Sequence, residues 1–344
     1  MAGEETVGTV ERYIKDLKAD EALTHSGLTL VPLSGNGNAA LDYLLSFEAM
    51  DAGLLKVTEV GAHGTVPELM VTSTAETNVL LIDGEELIGA KQNRILNTTI
   101  LLAAKAKTKI PVSCVEQGRW QHVSDDFKSG VYSPATLRGR KSRDVAENLR
   151  ACGEARSDQG AVWDAVDETL EAADAHSPTM AMHDLVDARR TSIGEYLEKM
   201  ACPAGARGVI AAVGGRLAAV DLFDKPETLS KLWKRLVTGY AMDAIGWREG
   251  QGAKDEFGTD AAMTLLKTAG EVLCQAFPSV GEGQDWRFSS ESIVGQALVA
   301  NGCCVHLSIF PNDEGPRGGG RREAIQPPSA RRRHKRGQGG DIVF

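Results

Sequence analysis

No stretch of this chain approaches the roughly 20 consecutive apolar residues that a membrane-spanning helix needs, and its start lacks a basic segment followed by an apolar run. Membrane insertion and secretion are therefore not expected, and a cytoplasmic location is. Cysteine is sparse: Cys114, Cys152, Cys202, Cys274, Cys303 and Cys304 show no C-x-x-C spacing, so neither a zinc ribbon nor a disulfide framework is expected. The histidines His25, His63, His122, His176, His183, His306 and His334 form no i, i+4 ligand pair with a carboxylate, which argues against a protein-built metal site. The glycine cluster at 34–38 has neither the Lys-Ser/Thr of a phosphate loop nor G-x-G-x-x-G spacing. No metal and no cofactor is expected.

Apolar residues make up 42% of the 344 residues and charged ones 25%, enough for a sizeable core without disulfide staples. The formal net charge is −9, yet the basic segment 315–344 opposes eight Lys/Arg to only Glu323 and Asp341, which leaves −15 on residues 1–314. An acidic body repels a nucleic-acid backbone, so nucleic acid is not expected as a partner except through the cluster Arg331, Arg332, Arg333, Lys335 and Arg336. The simpler reading of that cluster is a solvated tail.

Periodicity points to an α+β fold: a β-rich N-terminal sandwich or open barrel packed against a C-terminal lobe of helices and β-hairpins. Val7, Val10, Ile14 and Leu17 sit at helical spacing, giving a helical lead-in over 1–26. A β-rich lobe is expected over 27–140, with strands at 28–32, 43–47, 54–60, 66–72, 79–82, 85–88, 100–104 and 110–116. Asp83-Gly84, between two apolar runs, reads as a two-residue hairpin turn, as do Gly214-Gly215 and Asn301-Gly302. A helix and hairpin lobe over 141–310 follows, and then the basic tail over 311–344.

Within that lobe Val162, Trp163, Val166 and Leu170 form one helical stripe, and Met182, Leu185, Val186, Ile193, Leu197 and Met200 another. Asp224 reads as the cap of a helix carrying Leu229, Leu232, Trp233, Leu236, Val237 and Tyr240, and Thr259 as the cap of one running to Phe277. Arg189 falls inside the second stripe, so it is expected either as an inter-lobe ion pair or as a ligand-binding group.

The densest chemical signal is 83–97 together with 116–120, which bring carboxylates, amides and guanidinium groups onto strands and their ends. In a functional pocket, Arg94 or Arg119 would grip a phosphate or carboxylate, Trp120 would offer a stacking face, and Gln92, Asn93 and Asn97 would add hydrogen bonds. Glu85, Glu86 and Glu116 are the candidate catalytic carboxylates; strand alternation puts Glu85 and Glu86 on opposite faces. The competing reading pairs Glu116, Arg94 and Arg119 with one another as structural ion pairs. Cys114, with no cation expected beside it, reads as a buried thiol.

The motifs Asp83-Gly-Glu-Glu-Leu-Ile-Gly-Ala-Lys-Gln-Asn-Arg-Ile-Leu-Asn97, Ile110-Pro-Val-Ser-Cys-Val-Glu-Gln-Gly-Arg-Trp120 and Asp221-Leu-Phe together resemble the ARG and Rhodanese-Phosphatase-superfamily-associated protein domain, a family of unknown function, over about 28–310. The resemblance implies a role around NAD-derived or ADP-ribosyl compounds. It implies a nucleotide or ADP-ribosyl ligand and an ADP-ribosylglycohydrolase or phosphatase-type partner, and it assigns no catalytic residues. Three functions follow as expectations: a ligand-binding or accessory component of ADP-ribose/NAD-derived nucleotide metabolism, a hydrolase with paired carboxylates, or an interaction scaffold without a small-molecule site. The break in composition generates a first test: removing residues 315–344 leaves the calorimetric melting temperature unchanged. A loss of more than about 2 kcal/mol, the scale of one buried side chain, would show that this segment packs.

Overall fold

The computed structural model describes residues 5–37, 41–61, 66–247 and 257–312. The segment 313–344, Asn38 of the glycine cluster, His63 and His334 lie outside the described residues. The fold is α+β. Its helices among the described residues are α1 (Glu11–Ile14), α2 (Ser46–Asp51), α3 (Ala135–Cys152), α4 (Gln159–Ala172), α5 (Met182–Ala188), α6 (Arg190–Lys199), α7 (Pro226–Gly246) and α8 (Thr259–Gly270). None is long and apolar enough to cross a membrane.

Among the described residues three sheets carry the strands. The largest has ten strands, all antiparallel, and joins distant parts of the chain: Leu28–Ser34 pairs with Gly208–Val213, which pairs with Arg216–Phe223, and that with Cys303–Pro311. Ile293–Ala300, Gln284–Ser289 and Leu273–Pro278 continue the sheet to Glu5–Thr9 at its edge. A six-stranded sheet runs Phe127–Tyr132, Glu85–Gly89, Arg94–Leu96, Lys107–Cys114, Glu68–Ser73, Leu55–Glu59. The third sheet, Ile100–Leu102, Asn78–Leu81 and Tyr43–Leu45, shares an apolar core with it through Val79, Leu81, Leu87, Leu96, Ile100 and Val112.

Alternation in the large sheet separates two cores. Leu28, Leu30, Val209, Ala219 and Phe223 face α7, whereas Val31, Leu33, Ile210, Val220 and Leu222 face α1 and α8. On the α7 side, Trp233 is buried and donates from Nε1 to the Met200 carbonyl at 2.7 Å, so its polar edge is satisfied inside an apolar cluster.

Local structure departs from the periodicity where tertiary pairing competes with it. Residues 7–17 are not one helix: Glu5–Thr9 is a strand on Leu273–Pro278, and only one turn of helix, Glu11–Ile14, follows. Likewise α8 stops at Gly270, and Phe277 belongs to strand Leu273–Pro278. Thr259 is its first residue, with Gly258 at the cap position. The cap position of α7 is held by Lys225, not Asp224, which lies one residue earlier and accepts a hydrogen bond from the Tyr43 hydroxyl; α7 opens with Pro226 in its first turn. The second stripe breaks at Arg189, whose guanidinium donates to the Ala173 and Asp174 carbonyls just beyond α4 rather than to a carboxylate partner in a core.

Two of the three expected hairpins form. Gly214-Gly215 and Asn301-Gly302 link directly paired strands, with φ positive at both residues of each turn. Asp83-Gly84 is a turn closed by Glu85 N–H to the Ile82 carbonyl at 3.0 Å, but its flanking strands lie in different sheets. It passes the chain from one sheet to the next. Gly84 has φ +79, and a Cβ there would lie 2.7 Å from Arg138 Cγ and Cδ, so both backbone and packing demand glycine.

The core assignment of Trp233 is testable by urea denaturation. Trp233→Ala is expected to cost about 3–5 kcal/mol, the range for truncating a buried large aromatic, because it opens a cavity and strands the Met200 carbonyl. A cost below about 1 kcal/mol would mean that the α7 stripe is not core.

Candidate functional site

Strand Arg94–Leu96 lies between Glu85–Gly89 and Lys107–Cys114, with Arg94 opposite both Leu87 and Cys114. That register brings the 92–94 amides and guanidinium beside the chain that follows Cys114. Glu116 is the hub there. It accepts from Arg119 Nε at 2.7 Å and Nη2 at 2.6 Å, from the Asn93 N–H at 3.1 Å and from the Thr179 hydroxyl at 3.0 Å. Burial alone would push the Glu116 carboxyl up; Arg119, the Asn93 N–H and Thr179 together hold it below its ordinary range. Arg119 also donates to the Ala90 carbonyl and to Asn93 Oδ1, at 2.9 and 3.0 Å. Gln92 Nε2 donates to the Glu116 carbonyl at 2.8 Å.

Arg94 is different. It is fully buried, donates from Nη1 to Gln92 Oε1 at 3.0 Å, and has no acceptor for Nε or Nη2 among the described residues. Its Cζ lies 6.0 Å from the centre of the Trp120 ring, with Lys91 Nζ at 5.3 Å from the same ring. Trp120 is 50% exposed, so the ring covers the cations on one side and remains open to solvent.

The three carboxylates occupy distinct surroundings. Glu85 is held by Ser46 at 2.6 and 2.7 Å and by Ser129 at 2.6 Å; burial pushes its carboxyl up against those bonds. Glu86 points to the opposite face, where His183 Nδ1 meets its Oε2 at 2.8 Å. Burial also raises Glu86, opposed chiefly by His183. Asn97 braces the loop after α3: it accepts from Ser113 at 2.6 Å and donates to the Ala155 carbonyl at 3.1 Å. Cys114 is buried, which pushes its thiol up and away from nucleophilic chemistry. Gln92, Asn93, Arg94, Glu116, Arg119 and Trp120 thus form one contact network, while Glu85 and Asn97 are engaged elsewhere.

A second polar network escaped the sequence reading. Arg138 on α3 grips Asp221 through Nη1 at 2.8 Å and Nη2 at 2.6 Å, and Asp221 also accepts from Tyr240 and from His306 Nε2, the latter at 3.0 Å. Lys141, one turn on, bonds Asp83 and the Leu96 carbonyl. Burial brings the Lys141 ammonium down to about 8 despite Asp83. Beside them Asp285 binds Arg287 at 2.7 and 2.8 Å and accepts from Thr98 at 2.7 Å. A signal existed: alternation of Ala219, Asp221 and Phe223 puts a carboxylate on an apolar, inward face. For His183 the sequence offers no such signal, because Glu86 lies 97 residues away.

With this geometry in hand, comparison with known proteins gives one positive result. No curated protein and no solved structure matches the chain. The model of the ARG and Rhodanese-Phosphatase-superfamily-associated Protein domain matches residues 16–310, which include both polar networks and the two smaller sheets, together with the large sheet apart from its edge strand Glu5–Thr9 and the terminal Pro311. The chain belongs to that family.

Proposed function

We propose that this protein is a ligand-binding or accessory component of ADP-ribose and NAD-derived nucleotide metabolism, and that Arg94 and Trp120 form its ligand contact. The family name, with its association to the ARG and rhodanese-phosphatase superfamilies, supports the accessory role. One observation carries the ligand reading: a fully buried guanidinium has two nitrogens without an acceptor among the described residues, beneath a half-exposed indole. A buried cation of this kind is stabilised by an anion that accepts from both nitrogens, and a phosphate oxygen pair meets that need in the planar fork of arginine. The indole adds an aromatic face for a base. Gln92, which fixes Arg94 Nη1, and the Asn93–Glu116–Arg119 knot hold the fork in place.

Titration calorimetry with ADP-ribose, NAD and inorganic pyrophosphate tests this reading. Arg94→Ala is expected to weaken binding by about 1.5–3 kcal/mol, the net value of hydrogen bonds to a charged group, while a cooperative melt is kept. Absence of binding by the wild type, together with unfolding of Arg94→Ala, would make the guanidinium a structural element.

Glu116 gives a separate pH-dependent expectation. Its folded carboxyl titrates below the ordinary 4.5, so the unfolded chain binds more protons as the pH falls through that range. The stability that it contributes is present above about 4.5 and is lost as the pH drops through the lower folded value. Glu116→Gln is therefore less stable than the wild type at pH 7, by about 1.5–3 kcal/mol for its charge-assisted bonds, and the gap narrows toward pH 3 in parallel denaturant titrations. A binder keeps most of its ligand affinity in this variant.

A further inference from the structure

His183 is the second residue of α5, and the start of that helix is fixed to the strand end that carries Glu116: Met182 N–H donates to the Val115 carbonyl at 3.0 Å, and Ala181 bridges Glu116. The imidazole reaches down to Glu86, which is fully buried on strand Glu85–Gly89. Gly130 on the neighbouring strand makes room for it, since a Cβ there would lie 2.6 Å from Glu86 Oε2. Glu86 Oε1 has no hydrogen-bond partner among the described residues, and His183 keeps 28% of its side chain exposed. A buried carboxylate thus fixes one ring nitrogen of a histidine that meets solvent. This is the arrangement in which a carboxylate orients an imidazole and stabilises its charged form while the other nitrogen exchanges protons.

The groups around the pair come from three elements. Asp184 and Asp187 face His183 from α5 itself, Glu116 faces Glu86 from the segment after Lys107–Cys114, and the Val131 backbone faces Glu86 from Phe127–Tyr132. The hydrogen bond to Glu86 is the main cause that raises His183 above its ordinary value, against the effect of burial. Glu116 is held ionised by Arg119 and has no proton to give a leaving group. Glu85 bonds Ser46 and Ser129 on the other face of the strand. A pair of carboxylates acting as acid and base is therefore not what the geometry provides. It provides one base.

From this we infer that His183 is a catalytic base, positioned by Glu86, that activates water against an ADP-ribosyl group whose leaving group departs as a stable anion, namely a carboxylate ester. The inference rests on the ligand reading above and adds a reaction to it. In the step, His183 Nε2 takes a proton from water as the water oxygen forms a bond to the anomeric carbon of the ribose. The bond from that carbon to the ester oxygen breaks, and its electron pair stays on the departing carboxylate. The imidazolium then releases its proton to solvent. No external acid is needed, which matches a site with one base and an ionised Glu116.

The test uses the full chain and two peptides, one bearing ADP-ribose esterified to a glutamate side chain and one bearing it on an arginine nitrogen, with released ADP-ribose measured by chromatography across pH. The expected result is release from the ester alone, rising with pH through the titration of His183 and then level. His183→Gln, at a partly exposed position and checked by its melt, is expected to lose about 100-fold or more, the usual contribution of a general base. Glu86→Gln is expected to lose less and to move the midpoint to lower pH, a shift that a purely structural role would not produce. Should Glu86→Gln fail to fold, the His183→Gln arm still decides.

Turnover by His183→Gln within about threefold of the wild type, or equal release from arginine, overturns the inference. A wild type that binds ADP-ribose with dependence on Arg94 but releases nothing from the ester overturns the base and leaves the ligand reading standing. A wild type that binds no ADP-ribose and releases none overturns both.

Discussion

The bidentate bond between Arg138 and Asp221 joins a helix to the middle of the ten-stranded sheet, and Tyr240, His306, Asp83 and Lys141 are arranged around it. Both residues are fully buried, and Tyr240 and His306 use the other lone pairs of the same carboxylate. Taking either charge away would leave the other without a partner in a dry interior, a loss of about 3–5 kcal/mol that is a large part of a typical folding free energy. The carboxyl is consequently kept ionised far into acid, with Arg138 opposing the effect of burial. Three residues along the same helix, Lys141 fixes Asp83 and with it the turn that divides the two smaller sheets. One helix thus ties the turn at Gly84 to the large sheet.

The course of α3 follows from those anchors. Cross-strand neighbours Asp221, Ser308, Gln296, Arg287 and Gln275 form a polar row on one face of the large sheet. Arg138 binds its first member, and Arg150 binds its last at 2.7 Å. Twelve helical steps of about 1.5 Å cover about 18 Å, and four strand spacings of about 4.8 Å cover about 19 Å. The helix therefore lies across the strands rather than along them. A crossing of this kind is set by polar register, and Gly139, where a Cβ would meet Phe310 at 3.0 Å, lets the helix approach closely.

How far the sequence could be read depends on the range of the interactions involved. The α+β class, the strands around 85–88 and 110–116, and the turns at Gly214 and Asn301 rest on alternation and local backbone preference, and they are visible in a window of ten residues. The 92–94 and 116–120 groups were legible as one cluster because strand pairing is short-range there. What was not legible required partners from far along the chain. Asp83 reads locally as a turn residue, and only Lys141 makes it half of an ion pair. His183 looks isolated until Glu86 arrives from the distant strand Glu85–Gly89. Arg189 falls on an apolar stripe, yet the helix breaks there so that the guanidinium can close α4.

The strand order of the large sheet also sets a timetable. Leu28–Ser34 has its partner at Gly208–Val213, and Glu5–Thr9 has its own at Leu273–Pro278. At synthesis rates of about 5–20 residues per second, the roughly 175 residues between Leu33 and Gly208 take on the order of ten seconds or more to emerge. Throughout that interval Leu28, Leu30, Val31 and Leu33, all buried in the finished sheet, have no strand to pair with except the short ones before them. Such long-range pairing makes folding slow, and a nascent chain with an apolar edge waiting for its neighbour is open to mispairing with other chains.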